Sequence, residues 1–353
     1  MDTSAADGRG ARELGRALTQ VRAFVADDAT RWDAYVRSRP EAHFGQRAAW
    51  RTLTESTFPV RSCYSLAERD GKIVGVLPLF AKEHELFSAP GGLLADDDTA
   101  AEALLAPARE RVEREKLRWL ELRDQRVSWP GLATSTEHLT LELALEPTVE
   151  QQWKAFDAKL RNQVRKGEKS GFALRWGREH VGDFHRVLLE NLRDLGTPVR
   201  GPDYFRRAVA ALGGDADLLL LDLDGAPVGA MFTVVQGPRM ADPWASSLRR
   251  VLARCPNHVL YWAALRRAIE LGLTRFDFGR SQRGAGTWSF KTQWGAEPVQ
   301  LYYQYALGTA TAVPTLEAQK GALAAAVRVW QRLPLPVAAV LGEHVRRRFP
   351  EVL

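Results

Sequence analysis

The segment from Phe276 to Pro298, FDFGRSQRGAGTWSFKTQWGAEP, places charged residues and glycines between aromatics, directly after a short apolar strand. Asp277 lies between two phenylalanines of that strand, so its side chain points away from theirs, and its position makes it a candidate general base. Arg280 and Ser281 end the strand, where Arg280 could clamp a phosphate or a carboxylate, or be a solvated strand end. The segment is therefore a catalytic edge, a phosphate cradle or a glycine-rich turn.

The second half of this segment contains the residues with the most specific chemistry. Gly284 and Gly286 favour a chain reversal and a close approach of the backbone to a bound group. Phe290 and Lys291 follow them. A fixed ammonium in a water-poor cleft can stabilise an oxyanion, whereas a lone lysine beside aromatics is more often a surface residue. The residues alone leave both interpretations open.

Two further groups are candidate substrate-binding residues. Trp244 could stack on a sugar or a base, although a buried core tryptophan is the favoured alternative. Arg161, Arg165 and Lys169 are spaced by four and form one basic stripe on a helix, with Lys166 beside it. Such a stripe could follow an RNA backbone or contact a nucleotide pyrophosphate, or it could be an ordinary solvated helix face.

Composition favours a globular protein with two domains of common size, because 353 residues exceed one ordinary core. Lysine and arginine outnumber aspartate and glutamate by 49 to 43, which permits a polyanionic partner without requiring one. Cys63 and Cys255 lie far apart, so neither a disulfide framework nor a metal site is expected. The chain starts without an apolar signal sequence and contains no candidate membrane span, so we expect a cytoplasmic protein.

An internal repeat is the clearest sign of architecture. The pair Asp70-Gly71 precedes IVGVL, and the pair Asp224-Gly225 precedes PVGAM, at an offset of 154 residues (224 minus 70). Both pairs are typical of a tight turn between two strands. The strands that contain Leu120 and Phe276 follow a helix in each copy, at an offset of 156 residues (276 minus 120). Two matched landmarks in the same order indicate a duplicated domain.

Each copy follows the order helix, strand, turn, strand, helix, strand, which predicts a mixed α/β fold with mixed sheets flanked by helices. This pattern fits the GNAT-like acyltransferase fold in tandem. The predicted organisation is a flexible tail over residues 1–20, a first domain over 21–148, a second domain over 149–308 and a helical C-terminal appendage over 309–353. The appendage carries arginines around apolar residues, so it could rest on the inner face of an anionic membrane or pack on the body.

Several segments resemble the FemAB family of aminoacyltransferases: KLRNQVRKGEKSGF (159–172), PNHVLYWAALRRAIELG (256–272) and above all the block from FDFGRS to WGAEP, followed by LYYQY. DGKIVGVLPLF, SAPGGLLADD and LRWLELRD look like the amino-terminal domain of that family. The tail VWQRLPLPVAAVLGEHV resembles the FemAB-related proteins of exosortase (PEP-CTERM) and exopolysaccharide systems. The resemblance covers about residues 32 to 349.

This resemblance implies two fused GNAT-like domains that form amide bonds. It implies transfer of an amino acid from aminoacyl-tRNA to an amine of a cell-envelope or exopolysaccharide precursor bound between the domains, without a cofactor. It also implies that Phe290 and Lys291 lie at the reaction site and that Lys291 stabilises developing charge. One departure is the segment from Asp242 to Ser247, DPWASS, which replaces a tyrosine-rich PYYAGA-like strand and puts acceptor recognition in doubt.

Two alternatives remain open at this level. A CoA-dependent N-acyltransferase needs a (Q/R)xxGxG/A loop for the pyrophosphate. The corresponding place in the second copy, SSLRRVLARCPNHVLYW, has no glycine. In the first copy Asp96, Asp97 and Asp98 crowd the helix N-terminus and would repel a pyrophosphate. A non-catalytic membrane- or RNA-associated accessory protein is the other alternative, and loss of Phe290 and Lys291 would have favoured it.

Overall fold

The computed structural model describes residues 18–314 and 324–348. The predicted N-terminal tail falls almost wholly on residues 1–17, outside the described residues, and Gln20 already belongs to the first strand. The first domain contains nine strands and three helices: β1 Gln20–Ala23, β2 Arg61–Ser62, β3 Ser65–Arg69, β4 Lys72–Leu77, β5 Leu79–Lys82, β6 Glu85–Pro90, β7 Leu94–Ala95, β8 Trp119–Gln125, β9 Ala133–Ala144, α1 Ala29–Ser38, α2 Ala48–Thr57 and α3 Asp98–Arg114.

The second domain contains six strands and six α-helices and is followed by a helical tail. Its elements are α4 Val149–Ala155, α5 Ala158–Glu168, β10 Ala173–Trp176, α6 Val181–Leu195, α7 Pro202–Leu212, β11 Ala216–Leu223, β12 Ala226–Gln236, β13 Arg239–Ser247, α8 Pro256–Glu270, β14 Arg275–Arg280, α9 Gly286–Thr292 and β15 Glu297–Leu307. The tail contains α10 Ala324–Trp330 and α11 Leu335–Arg348. The mixed α/β class and the helical tail are confirmed.

The two Asp-Gly turns occupy equivalent places. Asp70-Gly71 joins β3 to β4 and Asp224-Gly225 joins β11 to β12, and all four residues have positive φ, as a tight hairpin turn requires. The later landmarks match as well. Leu120 lies in β8, which runs parallel to β6, and Phe276 lies in β14, which runs parallel to β13. The duplication inferred from the two offsets is therefore confirmed by the topology.

The two domains exchange strands at their junction. The larger sheet has 11 strands in the order β10-β11-β12-β13-β14-β9-β15-β8-β6-β5-β2. The last strand of the first domain, β9, therefore pairs with β14 of the second, and β15 of the second domain pairs with β8 of the first. A smaller sheet has the order β1-β3-β4-β7. The exchange joins the domains by continuous backbone hydrogen bonding.

Apolar packing reinforces this junction. One core cluster combines Trp32 and Trp50 of α1 and α2 with Tyr204 and Phe205 of α7, so it crosses from one domain to the other. A second cluster packs α8 against β14 and includes Trp294, just after α9. Within residues 18–314 and 324–348, no helix is long and apolar enough to cross a membrane.

Candidate active site

A gap opens in the larger sheet between β13 and β14. The two parallel strands pair only over Arg239–Ala241 and Arg275–Asp277. Asp242 is the first residue of β13 beyond the last pair, and Gly279 lies opposite in β14 with φ of 73°. A Cβ at Gly279 would lie 3.9 Å from the backbone oxygen of Asp242 and 4.0 Å from Nζ of Lys291. The glycine therefore leaves the space between these two residues open.

Lys291 lies in the short helix α9, and its side chain is buried, with 8% of the residue exposed. Its Nζ donates to the carbonyl oxygens of Gly279 at 2.9 Å and Arg280 at 3.0 Å. An ammonium has three N–H donors, so one remains for a ligand. Burial lowers the pKa of Lys291, while the nearby carboxylates of Asp242 and Asp277 oppose that shift. The lysine is thus buried, as an oxyanion donor must be. It is not a surface residue beside aromatics, which was the alternative interpretation.

Phe290 holds α9 in place. Its ring lies 5.1 Å from that of Tyr261 and 5.3 Å from that of His258, both on α8, and it also packs edge-on against Trp294. The neighbouring lysine must then point toward the sheet gap, because consecutive residues of a helix face different sides. Phe290 therefore positions Lys291.

Asp242 is a functional candidate that the sequence reasoning missed. Its Oδ2 accepts a hydrogen bond of 2.6 Å from the Tyr261 hydroxyl, and its Oδ1 is buried without a hydrogen-bond partner among the described residues. Burial raises the pKa of Asp242 from 3.8 to about 7, against the opposing effect of Lys291. A carboxyl that titrates near neutrality can accept a proton. The one available signal was the departure at DPWASS, which was read only as a change in acceptor recognition.

Both carboxylate oxygens of Asp277, the candidate base, have hydrogen-bond or ion-pair partners. Its Oδ1 accepts from the Thr140 hydroxyl and from the Gly279 N–H, and its Oδ2 pairs with Arg126 at 2.6 Å. Arg126 also binds the buried Glu142 at 2.6 Å. These contacts tie the first domain to the second and favour a structural role for Asp277 over the proton-accepting role that its strand position suggested.

A cavity of about 900 Å³ lies between the domains. Arg280 and Ser281, at the end of β14, line it. Arg280 donates to the Tyr303 hydroxyl at 2.6 Å and lies 3.5 Å from Asp124, and the Ser281 hydroxyl lies 3.3 Å from that of Thr287. The carbonyl of Arg280 accepts from Lys291, so the cavity wall and the buried lysine share one residue.

Charged side chains of both signs and aromatic rings line the cavity. Arg118 lies over the Trp119 ring at 4.2 Å, and Arg123, also a lining residue, is paired with a glutamate. His138 stacks on Tyr303 with ring centroids 4.0 Å apart, and burial lowers the pKa of this histidine. The lining contains four glutamates as well as Lys82 and three arginines. Its aromatic rings suit a sugar, and its arginines can receive phosphate or carboxylate groups beside those glutamates. No motif in the sequence points to these residues, most of which come from the first domain.

The two glycines of the segment lie in a turn, and Trp244 packs against other aromatic side chains. Gly284 is exposed with φ of 80°, and Gly286 begins α9, so the two form the reversal expected between strand and helix at the rim of the cavity. Trp244 is half-buried in β13 and packs edge-on against Phe205 at 5.2 Å and Phe232 at 5.1 Å. These contacts favour the core alternative for Trp244.

The residues of the predicted basic stripe have different surroundings in the structure. Arg161 donates to the carbonyls of Lys154 and Phe156 at the end of α4, so its guanidinium is occupied by the backbone. Arg165 and Lys166 are exposed on α5, and Lys169 follows as its C-terminal cap. Their helix end meets the turn before α8, where Ser170 and Arg254 exchange hydrogen bonds. We call Arg165, Lys166, Lys169, Arg249 and Arg254, all of them exposed, the basic surface.

The turn before α8 differs from a pyrophosphate loop. Residues Arg249–Arg254 form a 3₁₀ helix, and α8 begins at Pro256, which has no N–H. Backbone N–H groups that could hold a phosphate are used locally, since Val251 donates to Leu248 and Cys255 to Leu252. The glycine-free sequence thus folds into a closed turn, and this disfavours the pyrophosphate cradle of a CoA enzyme.

Comparisons with known proteins support the fold and the kind of chemistry. Residues 154–292 match a family described as "Acetyltransferase (GNAT) domain". The structure of FemX is similar with a TM-score of 0.69 and 18% identity, covering 82% of this chain and 98% of that one. No curated protein sequence matches the chain significantly.

Two further solved structures show the same architecture. A tandem GNAT protein from the clavulanic acid biosynthesis pathway has a TM-score of 0.51 and 14% identity, covering 84% of this chain and all of that one (100%). The DUF2156 domain of an Agrobacterium fabrum protein, proposed to be a lysylphosphatidylglycerol synthetase, has a TM-score of 0.56 and 12% identity, covering 79% and 92%. The chain therefore has a tandem GNAT-type fold, and the match of residues 154–292 to an acetyltransferase domain supports an acyltransferase.

Proposed function

We propose that this protein is a FemAB-like acyltransferase that forms an amide bond on an amine of a cell-envelope or exopolysaccharide precursor, with aminoacyl-tRNA as the donor. The observation that carries the proposal is the pair at the gap between β13 and β14. A buried ammonium, Lys291, has one N–H to spare, and a buried carboxyl, Asp242, has one oxygen without a partner among the described residues.

The proposed reaction uses these two groups in turn. The acceptor amine attacks the carbonyl carbon of the donor ester. The resulting oxyanion accepts a hydrogen bond from the third N–H of Lys291. Asp242 accepts the proton that the attacking nitrogen loses. The C–O bond of the ester then breaks, the ribose oxygen leaves with the proton that Asp242 had accepted, and the C–N amide bond remains, so Asp242 is again a carboxylate. Tyr261, which donates to Asp242, orients the accepting carboxylate.

The cavity between the domains is the proposed acceptor site. Its volume of about 900 Å³ fits a precursor larger than a single amino acid. Arg118, Arg123 and Arg280 would receive phosphate or carboxylate groups of that precursor, and the stacked His138 and Tyr303 would border a sugar. Arg280 belongs to the cavity wall and to the Lys291 site at once, so an acceptor held there lies next to the reacting centre.

The basic surface supports a polynucleotide donor. Its five exposed cations come from α5 and from the turn that precedes α8, and α8 packs directly against β13 and β14. Phosphates of a tRNA acceptor stem would be neutralised there while its 3′ end enters the sheet gap.

A CoA-dependent N-acyltransferase is the second candidate. It is favoured by the match of residues 154–292 to an acetyltransferase domain. The closed turn at Arg249–Arg254, with its N–H groups used locally, argues against it.

A binding titration distinguishes the donors. The protein is titrated with bulk aminoacylated tRNA and with uncharged tRNA, with acetyl-CoA as competitor, at ionic strengths up to about 0.15 M. We expect preference for charged tRNA without displacement by acetyl-CoA. Displacement by acetyl-CoA, or loss of all tRNA binding at the higher salt, would contradict the tRNA donor and favour a thioester donor.

Variants locate the binding site. Charge reversal of Arg165 and Lys166 to Glu should weaken tRNA binding and reduce the slope of log K against log salt by about two, because each phosphate contact contributes about one. The matched control is the double charge reversal of Arg266 and Arg267 to Glu, two cations that are also exposed, toward the C-terminal end of α8. Equal losses in the double variant and the control would show that tRNA binds only through overall charge.

A further inference from the structure

The helical tail exposes an unusual concentration of apolar side chains. Of the twelve exposed large apolar side chains among the described residues, four lie in the tail. They are Val329 (65% exposed), Val337 (42%), Val340 (61%) and Leu341 (42%). The last three lie on one side of α11, because residues spaced by three and four share a helix face. We call these four residues the tail face.

The opposite side of α11 is fixed to the protein. Ala338 is fully buried, and Gly342 lies so close to the backbone of Val199 that an added Cβ would meet its oxygen at 2.6 Å. The Glu343 carboxylate accepts from the N–H of Gly201, and Arg346 donates to the carbonyl of Pro198. These contacts hold α11 in one orientation, so the tail face points outward because of packing.

The charges around the tail face have one sign. Arg328, Arg332 and Arg347 are exposed, while the one acidic residue within residues 326–347 is Glu343, whose carboxylate is bound to the Gly201 N–H. An exposed apolar helix face flanked by arginines is the pattern of helices that lie in the plane of an anionic bilayer surface.

We propose that the tail face docks this protein on the surface of an anionic lipid bilayer, with Val337, Val340 and Leu341 at the acyl boundary. The exposed arginines contact lipid phosphates. One arginine near an anionic surface increases the membrane partition coefficient about fivefold. Three arginines therefore give on the order of a hundredfold preference for the anionic surface over a neutral one. Docking does not depend on the proposed reaction, because it needs neither donor nor acceptor.

Co-sedimentation with vesicles tests the proposal on the full chain. Phosphatidylcholine vesicles are compared with vesicles containing about a quarter phosphatidylglycerol, at low salt and at about 0.15 M. We expect strong binding to the anionic vesicles, weak binding to the neutral ones, and weakening by salt. No binding to anionic vesicles, or equal binding to both kinds, would overturn the proposal.

A double variant identifies the surface that binds. Val340→Asp with Leu341→Asp should reduce binding to anionic vesicles at least tenfold, while Leu271→Asp, at a similarly exposed apolar residue on the end of α8, should not. Urea unfolding midpoints establish that both variants are folded. Unchanged binding by the double variant would overturn the proposal. Sedimentation velocity gives the remaining outcome: self-association abolished by the double variant would assign the tail face to a second copy of the chain instead.

Discussion

Replacing Asp242 with Asn tests the most unusual electrostatic feature of the site. The carboxyl is buried, so its ionised form loses hydration, and this raises its pKa from 3.8 to about 7 despite the neighbouring Lys291. Asparagine has the same shape, and its amide oxygen can still accept from Tyr261. The variant therefore removes the titration and keeps the packing.

The sign of the effect follows from proton linkage. In the unfolded chain Asp242 ionises near pH 3.8, whereas in the folded protein it keeps its proton until about pH 7. Its contribution to stability is therefore fully present below pH 3.8 and is lost as the pH rises through 7. The interval of about three pKa units, at 1.36 kcal/mol each, corresponds to about 4 kcal/mol of unfolding free energy. Asp242→Asn should show none of this loss.

Urea unfolding at several pH values between 4 and 8.5 measures the difference. The wild type should lose stability relative to Asp242→Asn as the pH rises, with a total change of the order of 4 kcal/mol, and the difference should level off above pH 7. Asp203→Asn is the matched control, because that side chain is 80% exposed. Its unfolding free energy should run parallel to that of the wild type.

Activity gives a second readout of the same group. If Asp242 accepts the amine proton, kcat of the wild type should rise as the pH passes 7, and Asp242→Asn should be slow with no such rise. Identical stability profiles for wild type and variant, or a carboxyl of Asp242 that titrates near pH 4 in NMR spectra, would refute the assignment of a buried, neutral-pH base.

Three other substitutions separate catalysis from structure. Lys291→Ala should lower kcat by about 10² to 10³ through loss of the oxyanion donor, at a stability cost of about 1–3 kcal/mol for each of the two carbonyls left unpaired; an unchanged rate contradicts the assignment. Arg126→Ala leaves two buried carboxylates without their shared partner and should destabilise by about 3–5 kcal/mol in urea, far more than Arg275→Ala, whose side chain is 52% exposed. Gly279→Ala and Gly272→Ala carry the same backbone strain at φ of 73°, about 1–2 kcal/mol, but only the former places a methyl in the sheet gap, and only it should lower kcat.

Local signals in the sequence predicted the repeated units well. Asp-Gly turns need positive φ at both residues, so the pairs at 70–71 and 224–225 marked real hairpins. Within the block from FDFGRS to WGAEP, Arg280 and Lys291 are 11 residues apart, and the lysine binds the carbonyl of Arg280 across the chain reversal. These features depend on contacts within a few residues, and a single sequence displays them.

Features that depend on distant residues could not be predicted. Asp277 has the position of a general base, but its partner Arg126 lies 151 residues away, and nothing near either residue indicates the pair. Arg161 belongs to a regular basic stripe, yet the end of α4 occupies its guanidinium. Asp242 becomes unusual only because α8 brings Tyr261 over it and excludes water.

The exchange of β9 and β15 explains why the site needs both domains. The gap with Asp242 and Lys291 belongs to the second domain, but β14, which forms one side of that gap, is held on its other edge by β9. β9 also carries Glu142, which joins Arg126 to Arg239 at 2.6 and 2.7 Å. A cut at the predicted boundary of 148 and 149 would therefore not release an independent catalytic half, because it would leave β14 unpaired on the side that fixes the gap. The duplication supplied two similar folds, and the strand exchange turned one of them into a support for the active edge of the other.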